Sequence, residues 1–276
     1  MASETIPKVI HYCWFGGNPL GEEELACIKS WQKYMPDYAI ARWDETNFDV
    51  HGIRYCEQAY EAKLWAFVSD YARFAILYEH GGVYFDTDVE LIKPIDDILA
   101  RGPFMGCGTD GTGATNSCAV ASGLGLAAYP GLDLYESILE YYKHCDLIKP
   151  DGSYDMTSVV ERTNSILREH GLDDSIGIQE VAGVVIYPAE YFNPMDFLTG
   201  TITITPNTRS IHHYSMSWYE ESRKTQVRIQ RALISAGLSK LIADPIARFL
   251  GILRHGDYNR LIRKTRTVIS EKLRKS

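Results

Sequence analysis

The chain has 276 residues, 45% of them hydrophobic and 23% charged, with a formal net charge of −8. These proportions are those of an ordinary globular protein, and no stretch approaches the roughly 18 consecutive apolar residues that a membrane-spanning helix needs. The N-terminus has no positively charged segment followed by an apolar one, so we expect no signal peptide. The six cysteines show no Cys-x-x-Cys spacing, which favours reduced thiols in a cytoplasmic protein.

Strands and helices are predicted to alternate through the first third of the chain. Apolar residues recur at helical spacing through 60–79, and Gly81 and Gly82 follow as terminating glycines. The predicted elements are a buried strand at 6–15, a helix at 22–34, a strand at 38–44, the 60–79 helix and a short buried strand at 83–89.

The middle of the chain continues the alternation. Short strands are predicted at 103–107 and 116–122, helices at 130–144 and 156–170, and extended segments at 184–192 and 201–205. Such alternation predicts an α/β layer architecture.

The last 56 residues differ in charge from the rest. Residues 221–276 contain 14 Lys/Arg and 4 Asp/Glu, a net charge of +10. Because the whole chain carries −8, residues 1–220 carry −18. We therefore predict a catalytic or binding domain over 1–220 and a basic amphipathic helical tail over 221–276. The apolar stripes of the tail either pack on the acidic domain or attach the protein to an anionic membrane.

Two aspartates, Asp86 and Asp88, close the apolar run of HGGVYFDTDVELIKP, residues 80–94. Because side chains alternate along a strand, we expect both carboxylates to face one side at the carboxyl end of the strand, where open α/β sheets bind ligands. Carboxylates so placed suit Mg²⁺ or Mn²⁺ shared with substrate phosphates. A solvated strand end is the alternative for an isolated pair of this kind.

Asp70 and Arg73 lie three residues apart on the predicted 60–79 helix and so share a face. Spacing alone favours a simple ion pair, which is worth a few tenths of a kcal/mol. The functional alternative is that the guanidinium of Arg73 binds a diphosphate or sugar while Asp70 accepts hydroxyl groups.

His212 and His213 follow the extended segment 201–205. Structural or surface histidines are the commoner case, although a neutral imidazole is a normal third ligand for a divalent ion.

The sequence does not support either of two common nucleotide-binding motifs. Gly106, Gly108 and Gly111 match G-x-G-x-x-G with Asp133 downstream, but the motif lies in mid-chain and opens no predicted helix. No G-x-x-x-x-G-K-[ST] sequence occurs, which excludes a P-loop nucleotide hydrolase.

The segment KLWAFVSDYARFAILYEHGGVYFDTDVELIKP, residues 63–94, resembles the DXD glycosyltransferases of family 32. These include bacterial capsule and lipopolysaccharide glycosyltransferases and yeast-type initiating mannosyltransferases, and the chain is more distantly similar to the glucosyltransferase domains of large clostridial toxins. The resemblance covers residues 6–130 and then narrows to IHHYSMSW, residues 211–218. It implies a GT-A fold with a mixed, mostly parallel central sheet and a helical C-terminal appendage.

The resemblance also assigns residues to the donor. Trp14 would stack on the nucleobase, and Ser217 and Trp218 would close over the diphosphate. The residues placed around the sugar, ribose and phosphates are Asp70, Arg73, Tyr84 and Asp86.

For the metal and the chemistry, the resemblance implies Mn²⁺ or Mg²⁺ bound by Asp88 and His213, with Asp86 as a further, indirect ligand. The catalytic residues would be Arg73, Asp86 and Asn116. Asp155 and Thr157 are weaker candidates, because the mid-chain segment 151–158 departs from the family pattern. The Gly-rich 106–113 loop departs from it too.

The implied reaction moves a hexose with retention from a nucleotide-sugar, by expectation a UDP-sugar, to a surface-polysaccharide or lipid-linked glycan. We expect attack on the same face as the leaving diphosphate, which takes the acceptor proton. The expected location is the inner face of the cytoplasmic membrane, with peripheral contact to anionic lipid through 221–276 and no nucleic acid as partner.

Two alternatives to a glycosyltransferase remain. A phosphatase of the haloacid dehalogenase type also has a D-x-D strand, but Glu90 stands where that family has Thr or Val. A nucleotide-sugar-binding protein without turnover is the other, against which the intact Trp14, Arg73, Asp86 and Asp88 argue.

Overall fold

A computed structural model describes residues 5–108, 119–216 and 221–255 of the chain. Three of the predicted site residues, Asn116, Ser217 and Trp218, lie outside the described residues. So do residues 256–276 of the predicted tail and Gly111, the last glycine of the G-x-G-x-x-G match.

The first third of the chain alternates strands and helices as predicted. The elements are β1 (Val9–Cys13), α1 (Glu22–Tyr34), β2 (Ala39–Trp43), α2 (Arg54–Glu61), α3 (Trp65–His80) and β3 (Gly82–Tyr84). The predicted single helix over 60–79 is therefore wrong at its beginning. Lys63 has a φ of +57°, a left-handed conformation that ends α2, and α3 starts two residues later. The break lets the rings of Tyr60 and Trp65 pack edge to face.

The predicted strand 83–89 is likewise two strands. β3 ends at Tyr84, and β4 (Val89–Leu91) begins after a turn in which the N–H of Val89 donates to the carbonyl of Asp86. Asp86 and Asp88 thus lie in a turn, and the expectation that both face one side of a strand is wrong. The turn forms because β4 leaves the main sheet to pair with β10 (Ser210–His212).

The rest of the chain contains the predicted helices near 130–144 and 156–170, but both predicted extended segments are wrong in part, and the short elements at 96–99, 126–128, 179–181 and 210–212 are not among those predicted. Extended structure predicted for 184–192 stops at Tyr187 and gives way to a short helix, and 201–205 forms only an isolated bridge between Met195 and Ile202. The elements are α4 (Asp96–Leu99), β5 (Phe104–Gly108), β6 (Ala119–Val120), β7 (Leu126–Ala128), α5 (Asp133–Lys143), α6 (Val159–Glu169), β8 (Gln179–Val181), β9 (Val184–Tyr187) and α7 (Ala189–Phe192). Gly106 and Gly108 lie in strand β5, which is not the strand-to-helix turn of a dinucleotide site.

The main sheet has the strand order β2-β1-β3-β7-β5-β9-β8, with β6 paired to β5. Strands β2, β1, β3, β5 and β9 run in one direction, whereas β7, β8 and β6 oppose it. The predicted α/β class, with a mixed and mostly parallel sheet and a helical C-terminal part, is confirmed.

Helices cover both faces of this sheet and bury two apolar cores. One core contains residues of α2, α3, α5 and α6, among them Tyr55, Phe74 and Tyr135. The other contains residues of α1, α4 and α7, including Trp31 and Phe192. The two cores fix the strands from both sides, so the loops at the carboxyl ends of β1 and β3 project from a rigid frame.

The chain divides into two compact units, one of residues 1–196 and 202–215 and one of residues 197–201 and 216–276. The second unit contains α8 (Glu221–Ser235) and α9 (Lys240–His255). Within the described ranges, no helix is long and apolar enough to cross a membrane.

Four cysteines are free thiols, namely Cys13, Cys27, Cys56 and Cys145. Cys107 is disulfide-bonded, so the expectation of reduced thiols fails there. The failure has a simple cause, because cysteine pairing is set by three-dimensional proximity and leaves no spacing signal in the sequence.

Candidate active site

The candidate site surrounds the turn that carries Asp86 and Asp88, beyond the carboxyl end of β3. The turn is held on one side by the N–H of Asp86, which donates to the carbonyl of Gly123 at 3.0 Å. On the other side the N–H of His213 donates to the carbonyl of Asp88 at 2.9 Å. Segments more than 30 residues away in sequence thereby fix both aspartates.

Arg73 is the centre of the Asp86 side of the site. Its Nη2 lies 3.0 Å from Asp70 Oδ1 and 3.4 Å from Asp86 Oδ1, so one guanidinium bridges two carboxylates. Its Nε donates to the carbonyl of Ser69, its Nη1 to Ser122 Oγ, and its guanidinium lies over the ring of Tyr84. Only 5% of the Arg73 side chain is exposed, against 32% of Asp86. The predicted meeting of Asp70, Arg73, Tyr84 and Asp86 is found, but Arg73 lies beneath Asp86 with most of its donors already bonded.

The charges in this group are strongly coupled. Burial raises the pKa of Asp70 to about 7, against the opposing pull of Arg73. Burial works in the other direction on Arg73, yet Asp86, Tyr84 and Asp70 together raise its pKa. Arg73 therefore keeps its charge at all physiological pH values and acts as a permanent counter-ion. The hydroxyl of Tyr84 donates to Asp86 Oδ1 at 2.9 Å and completes the cradle.

Gly123 forms a wall against the Asp86 carboxylate. A Cβ placed on Gly123 would lie 1.8 Å from Asp86 Oδ2 and 3.3 Å from Arg73 Nη1. The backbone before it is fixed by the buried Asn164 side chain, which accepts from the N–H of Val120 and donates to its carbonyl. Only glycine permits this approach, so residue 123 determines where the carboxylate can point.

Asp88 lies in a different environment, made by the strand β10 and the residues that follow it. Its Oδ1 is 3.2 Å from His212 Nε2, and its Oδ2 accepts from the N–H of Ser215 at 3.0 Å. Burial opposes ionisation of Asp88, yet His212 and the Ser215 N–H together lower its pKa to about 2. Burial disfavours the charged imidazole of His212, but the charge of Asp88, its hydrogen bond to the imidazole and the charge of Asp86 together raise the pKa of His212. Tyr214, which lies between His212 and Ser215 in the sequence, has a φ of +54°. This is a strained backbone conformation of the kind that is concentrated at functional sites.

His213 points elsewhere than the sequence predicts. Its Nε2 lies 2.9 Å from Glu90 Oε2, and it is His212 that faces Asp88. The reason is the alternation along β10: His212 pairs with Val89 and projects beside Asp88, so the next side chain turns away. The geometry therefore favours His212 over His213 as the imidazole of the site.

The residues present fit a hard divalent ion only in part. Asp88 and His212 offer an oxygen and a nitrogen 3.2 Å apart, close to the roughly 3 Å between adjacent ligands of an octahedral ion with 2.1 Å bonds. The second nitrogen of His212, Nδ1, is buried and has no hydrogen-bond partner among the residues that the structure describes. Among the described residues no three His, Cys, Asp or Glu side chains form a complete site. Two protein ligands with substrate phosphates completing the shell are a normal arrangement for Mg²⁺.

The remaining predicted residues have no direct contact with the two aspartates among the described residues, or they lie outside the described chain. Trp14 follows β1, is half-buried, and donates through Nε1 to the carbonyl of Asn18. Asp155 accepts from Thr157 and pairs with Arg162 at 2.6 Å, which makes it part of a structural clamp. The described residues therefore bring together Asp70, Arg73, Tyr84, Asp86 and Asp88, and they leave Asn116, Ser217 and Trp218 undescribed.

Sequence reasoning missed Ser122, Gly123 and Ser215. All three reach the site from more than 35 residues away and through small side chains or backbone groups. The sequence ASGLGL, residues 121–126, contains two glycines that no predicted turn requires. Glycines in such a position suggest a close approach of the backbone to another group, and this local signal could have pointed to Gly123.

Comparison with known families agrees with these observations. Residues 21–105 match the family model described as "glycosyltransferase sugar-binding region containing DXD motif". This stretch contains Asp70, Arg73, Tyr84 and both aspartates of the turn. The predicted resemblance to DXD glycosyltransferases is confirmed.

Curated relatives share the same part of the chain. Inositol phosphoceramide mannosyltransferase 1 of Schizosaccharomyces pombe (strain 972 / ATCC 24843) is 30% identical over 128 residues, which are 43% of this chain and 39% of the relative. The uncharacterized glycosyltransferase L373 of Acanthamoeba polyphaga mimivirus is 32% identical over 109 residues, 36% of this chain and 42% of the relative. The chain thus spans less than half the length of the curated relatives it matches.

Two solved structures show a more distant likeness. The PaToxG glycosyltransferase has a TM-score of 0.43 and 16% identity, covering 59% of this chain and 69% of that one. The galactosyltransferase LgtC, in complex with donor and acceptor sugar analogues, has a TM-score of 0.42 and 13% identity, covering 84% of this chain and 96% of that one. These TM-scores are too low for residue positions in those structures to bear on this chain.

Proposed function

We propose that this protein is a metal-dependent, retaining glycosyltransferase that takes a hexose from a nucleotide-sugar, by preference a UDP-sugar. The main observation behind the proposal is that the two aspartates of one turn have different partners. Asp86 is held over a permanent cation, and Asp88 is held beside an imidazole, both within the stretch that matches a sugar-binding DXD region.

Asp86 is the member of the Asp70, Arg73, Tyr84 and Asp86 group whose carboxylate a sugar can reach. Its carboxylate is partly exposed, and Arg73, Tyr84 and Gly123 fix its orientation. A fixed acceptor of this kind suits the hydroxyl groups of a hexose, because its geometry requires no reorganisation on binding. Arg73 then acts mainly by orienting Asp86 and by placing a positive charge beneath the site.

Asp88 and His212 are the residues that would hold Mn²⁺ or Mg²⁺. His212 takes the role that the sequence assigned to His213. When bound, such an ion supplies Lewis-acid stabilisation of the leaving diphosphate, an effect worth several kcal/mol. The Ser215 N–H, which now donates to Asp88, keeps that carboxylate ionised and aimed.

The reaction proposed is substitution at the anomeric carbon on the face from which the diphosphate leaves. The bond from that carbon to the diphosphate oxygen breaks, the bond to the acceptor oxygen forms, and the acceptor proton passes to the departing diphosphate. The protein contributes positioning and electrostatic stabilisation. The acceptor proposed is a surface polysaccharide or a lipid-linked glycan. A lipid-linked acceptor is consistent with the mannosyltransferase relative, whose name refers to an inositol phosphoceramide.

A panel of nucleotide-sugars, scored for hydrolysis with Mn²⁺, with Mg²⁺ and with EDTA, tests the proposal. We expect one donor to be hydrolysed only with metal, and Asp88→Asn to reduce the rate by about 100-fold or more. Glu90→Gln is the matched control, because Glu90 is near in sequence but contacts His213 rather than Asp88.

Three outcomes would overturn it. Full activity in EDTA or in Asp88→Asn removes the metal assignment. Hydrolysis of a generic aryl phosphate without donor turnover indicates a phosphatase instead. Tight donor binding with neither hydrolysis nor transfer indicates a binding protein that lacks turnover.

A further inference from the structure

Helix α9 packs against α8 through its smallest residues. Ala243, Ala247 and Gly251 recur every fourth position and are buried. A Cβ on Gly251 would lie 3.3 Å from the Cβ of Gln226 on α8, which shows how closely the two helices approach. A face of small residues brings the helices together but leaves the large side chains of α9 without a place in this contact.

The large apolar residues of α9 are therefore exposed. They recur at the spacing of one helical face and include a phenylalanine that is half exposed. They are Leu241 (89% exposed), Ile242 (54%), Ile246 (37%), Phe249 (49%), Leu250 (40%) and Leu253 (39%). We call this surface the α9 stripe. A contiguous apolar surface of this kind on a folded protein marks an interaction site.

Two arginines flank the α9 stripe, and the sequence around it is basic. At 100° per residue, the exposed Arg248 and Arg254 lie at its two edges. Residues 221–255 contain seven Lys/Arg and two Asp/Glu, and residues 256–276, which continue directly from α9, again contain seven and two. A partner for this surface must be apolar at its centre and anionic at its rim. A second copy of the chain is a poor fit, because it would oppose two net charges of +10.

The α8–α9 hairpin is fixed by side-chain bonds at both ends, so the stripe is already formed before any partner binds. Thr225 Oγ1 and His255 Nε2 are 2.9 Å apart, and Gln230 donates to Asp244. These bonds join the side of α9 away from the stripe to α8 and leave the stripe uncovered.

We infer that the α9 stripe seats this protein on an anionic lipid surface. The helix lies in the plane of the interface, its large apolar side chains reach about 5–10 Å into the boundary between headgroups and acyl chains, and the flanking arginines contact lipid phosphates. The inference concerns where the protein resides and does not depend on the proposed sugar transfer.

Co-sedimentation of the full chain with vesicles tests this. One set contains phosphatidylcholine with about 30% phosphatidylglycerol, a content that gives an anionic surface, and the other contains phosphatidylcholine alone. We expect binding to the anionic set only, and about tenfold or greater loss in the triple variant Phe249→Ser, Leu250→Ser, Leu253→Ser. The matched control replaces three apolar residues exposed elsewhere, Leu25, Ile176 and Ile178, with serine and should bind as the wild type does.

A second variant separates the contribution of charge. Arg248→Gln with Arg254→Gln should weaken binding about fivefold for each charge removed, and added salt should reduce the difference. The substituted side chains are exposed, so circular dichroism and the thermal midpoint should match the wild type. Donor hydrolysis without vesicles should also be unchanged, which keeps this inference separable from the proposed reaction.

Several results would overturn the inference. They are equal binding to both vesicle sets, binding by the triple serine variant at the wild-type level, and equal loss in the control variant. A dimer in light scattering that the triple variant dissociates, with no vesicle binding by the wild type, would assign the stripe to self-association instead.

Discussion

Asp86 and Asp88 are separated by one residue, yet they belong to two differently built regions. Asp86 faces the main sheet, where a buried guanidinium, a phenol and a glycine backbone hold it. Asp88 faces the small β4–β10 pair, where an imidazole and a backbone N–H hold it. The first region has a permanent cation, whereas the second has a group that can lose its proton and bind a metal.

This difference explains how one short motif can serve two tasks. A carboxylate tied to a permanent cation keeps one orientation whatever ligand is present, which suits recognition of sugar hydroxyls. A carboxylate paired with an imidazole can bind a metal ion when the imidazole loses its proton and becomes a second ligand, so that no buried charge is left unpaired. The two regions should therefore respond differently to substitution.

The largest expected effect is on stability, and it comes from removing the charge of Arg73 from the first region. Arg73→Met leaves Asp70 and Asp86 without their shared counter-ion and should lower the free energy of unfolding by about 3–5 kcal/mol. Arg42→Met is the control, since Arg42 pairs with Asp44 at 3.0 Å but is 40% exposed, and it should cost less than about 1 kcal/mol. Urea unfolding measures both. Equal losses would show that the Arg73 group has no special structural weight.

A smaller effect, on catalysis, is expected from a substitution at Gly123, whose backbone lies against the Asp86 carboxylate. Gly123→Ala forces the Asp86 carboxylate to move, and a displacement near 1 Å should reduce kcat/KM for donor hydrolysis by about 10- to 100-fold. Gly177→Ala is the matched control, because a Cβ there meets nothing within 4 Å.

Manganese binding, which we propose to depend on Asp88 and not on Asp86, should be nearly unchanged in Gly123→Ala. Wild-type kcat/KM in this variant would contradict the role assigned to the wall. Parallel loss of metal binding would mean that the two regions are not separate.

The smallest effect concerns an arginine–carboxylate pair outside the site, which serves as a structural reference. Burial opposes ionisation of Asp155, but Thr157 and Arg162 lower its pKa to about 2. Since the unfolded value is near 3.9, the pair stabilises the fold above about pH 4, and this stabilisation is lost as the pH falls through 2.

Asp155→Asn should therefore lower the free energy of unfolding by about 1–2 kcal/mol near neutral pH and by progressively less in acid. Urea unfolding at several pH values checks the slope, and donor hydrolysis should stay at the wild-type level. A loss of activity larger than the loss of stability would place Asp155 in the site after all.

The contrast also shows what the sequence could and could not predict. Helical spacing placed Asp70 and Arg73 on one face, and hydrophobic patterning located most strands and helices, because both depend on residues near in sequence. The pairing of β4 with β10 spans about 120 residues, so neither the turn at 85–88 nor the choice of His212 over His213 could be read locally. The Gly123 wall is set by a contact between backbone and carboxylate, which leaves no periodic signal.

We propose that Asp88 binds the metal ion and that Asp86 positions the donor. Mn²⁺ titration followed by electron paramagnetic resonance, with a nucleoside diphosphate present, tests it in four variants. We predict that Asp88→Asn and His212→Ala each weaken Mn²⁺ binding by about tenfold or more, whereas Asp86→Asn and His213→Ala leave it nearly unchanged. Loss of Mn²⁺ affinity in His213→Ala with full affinity in His212→Ala would contradict the account, as would equal losses for the two aspartates.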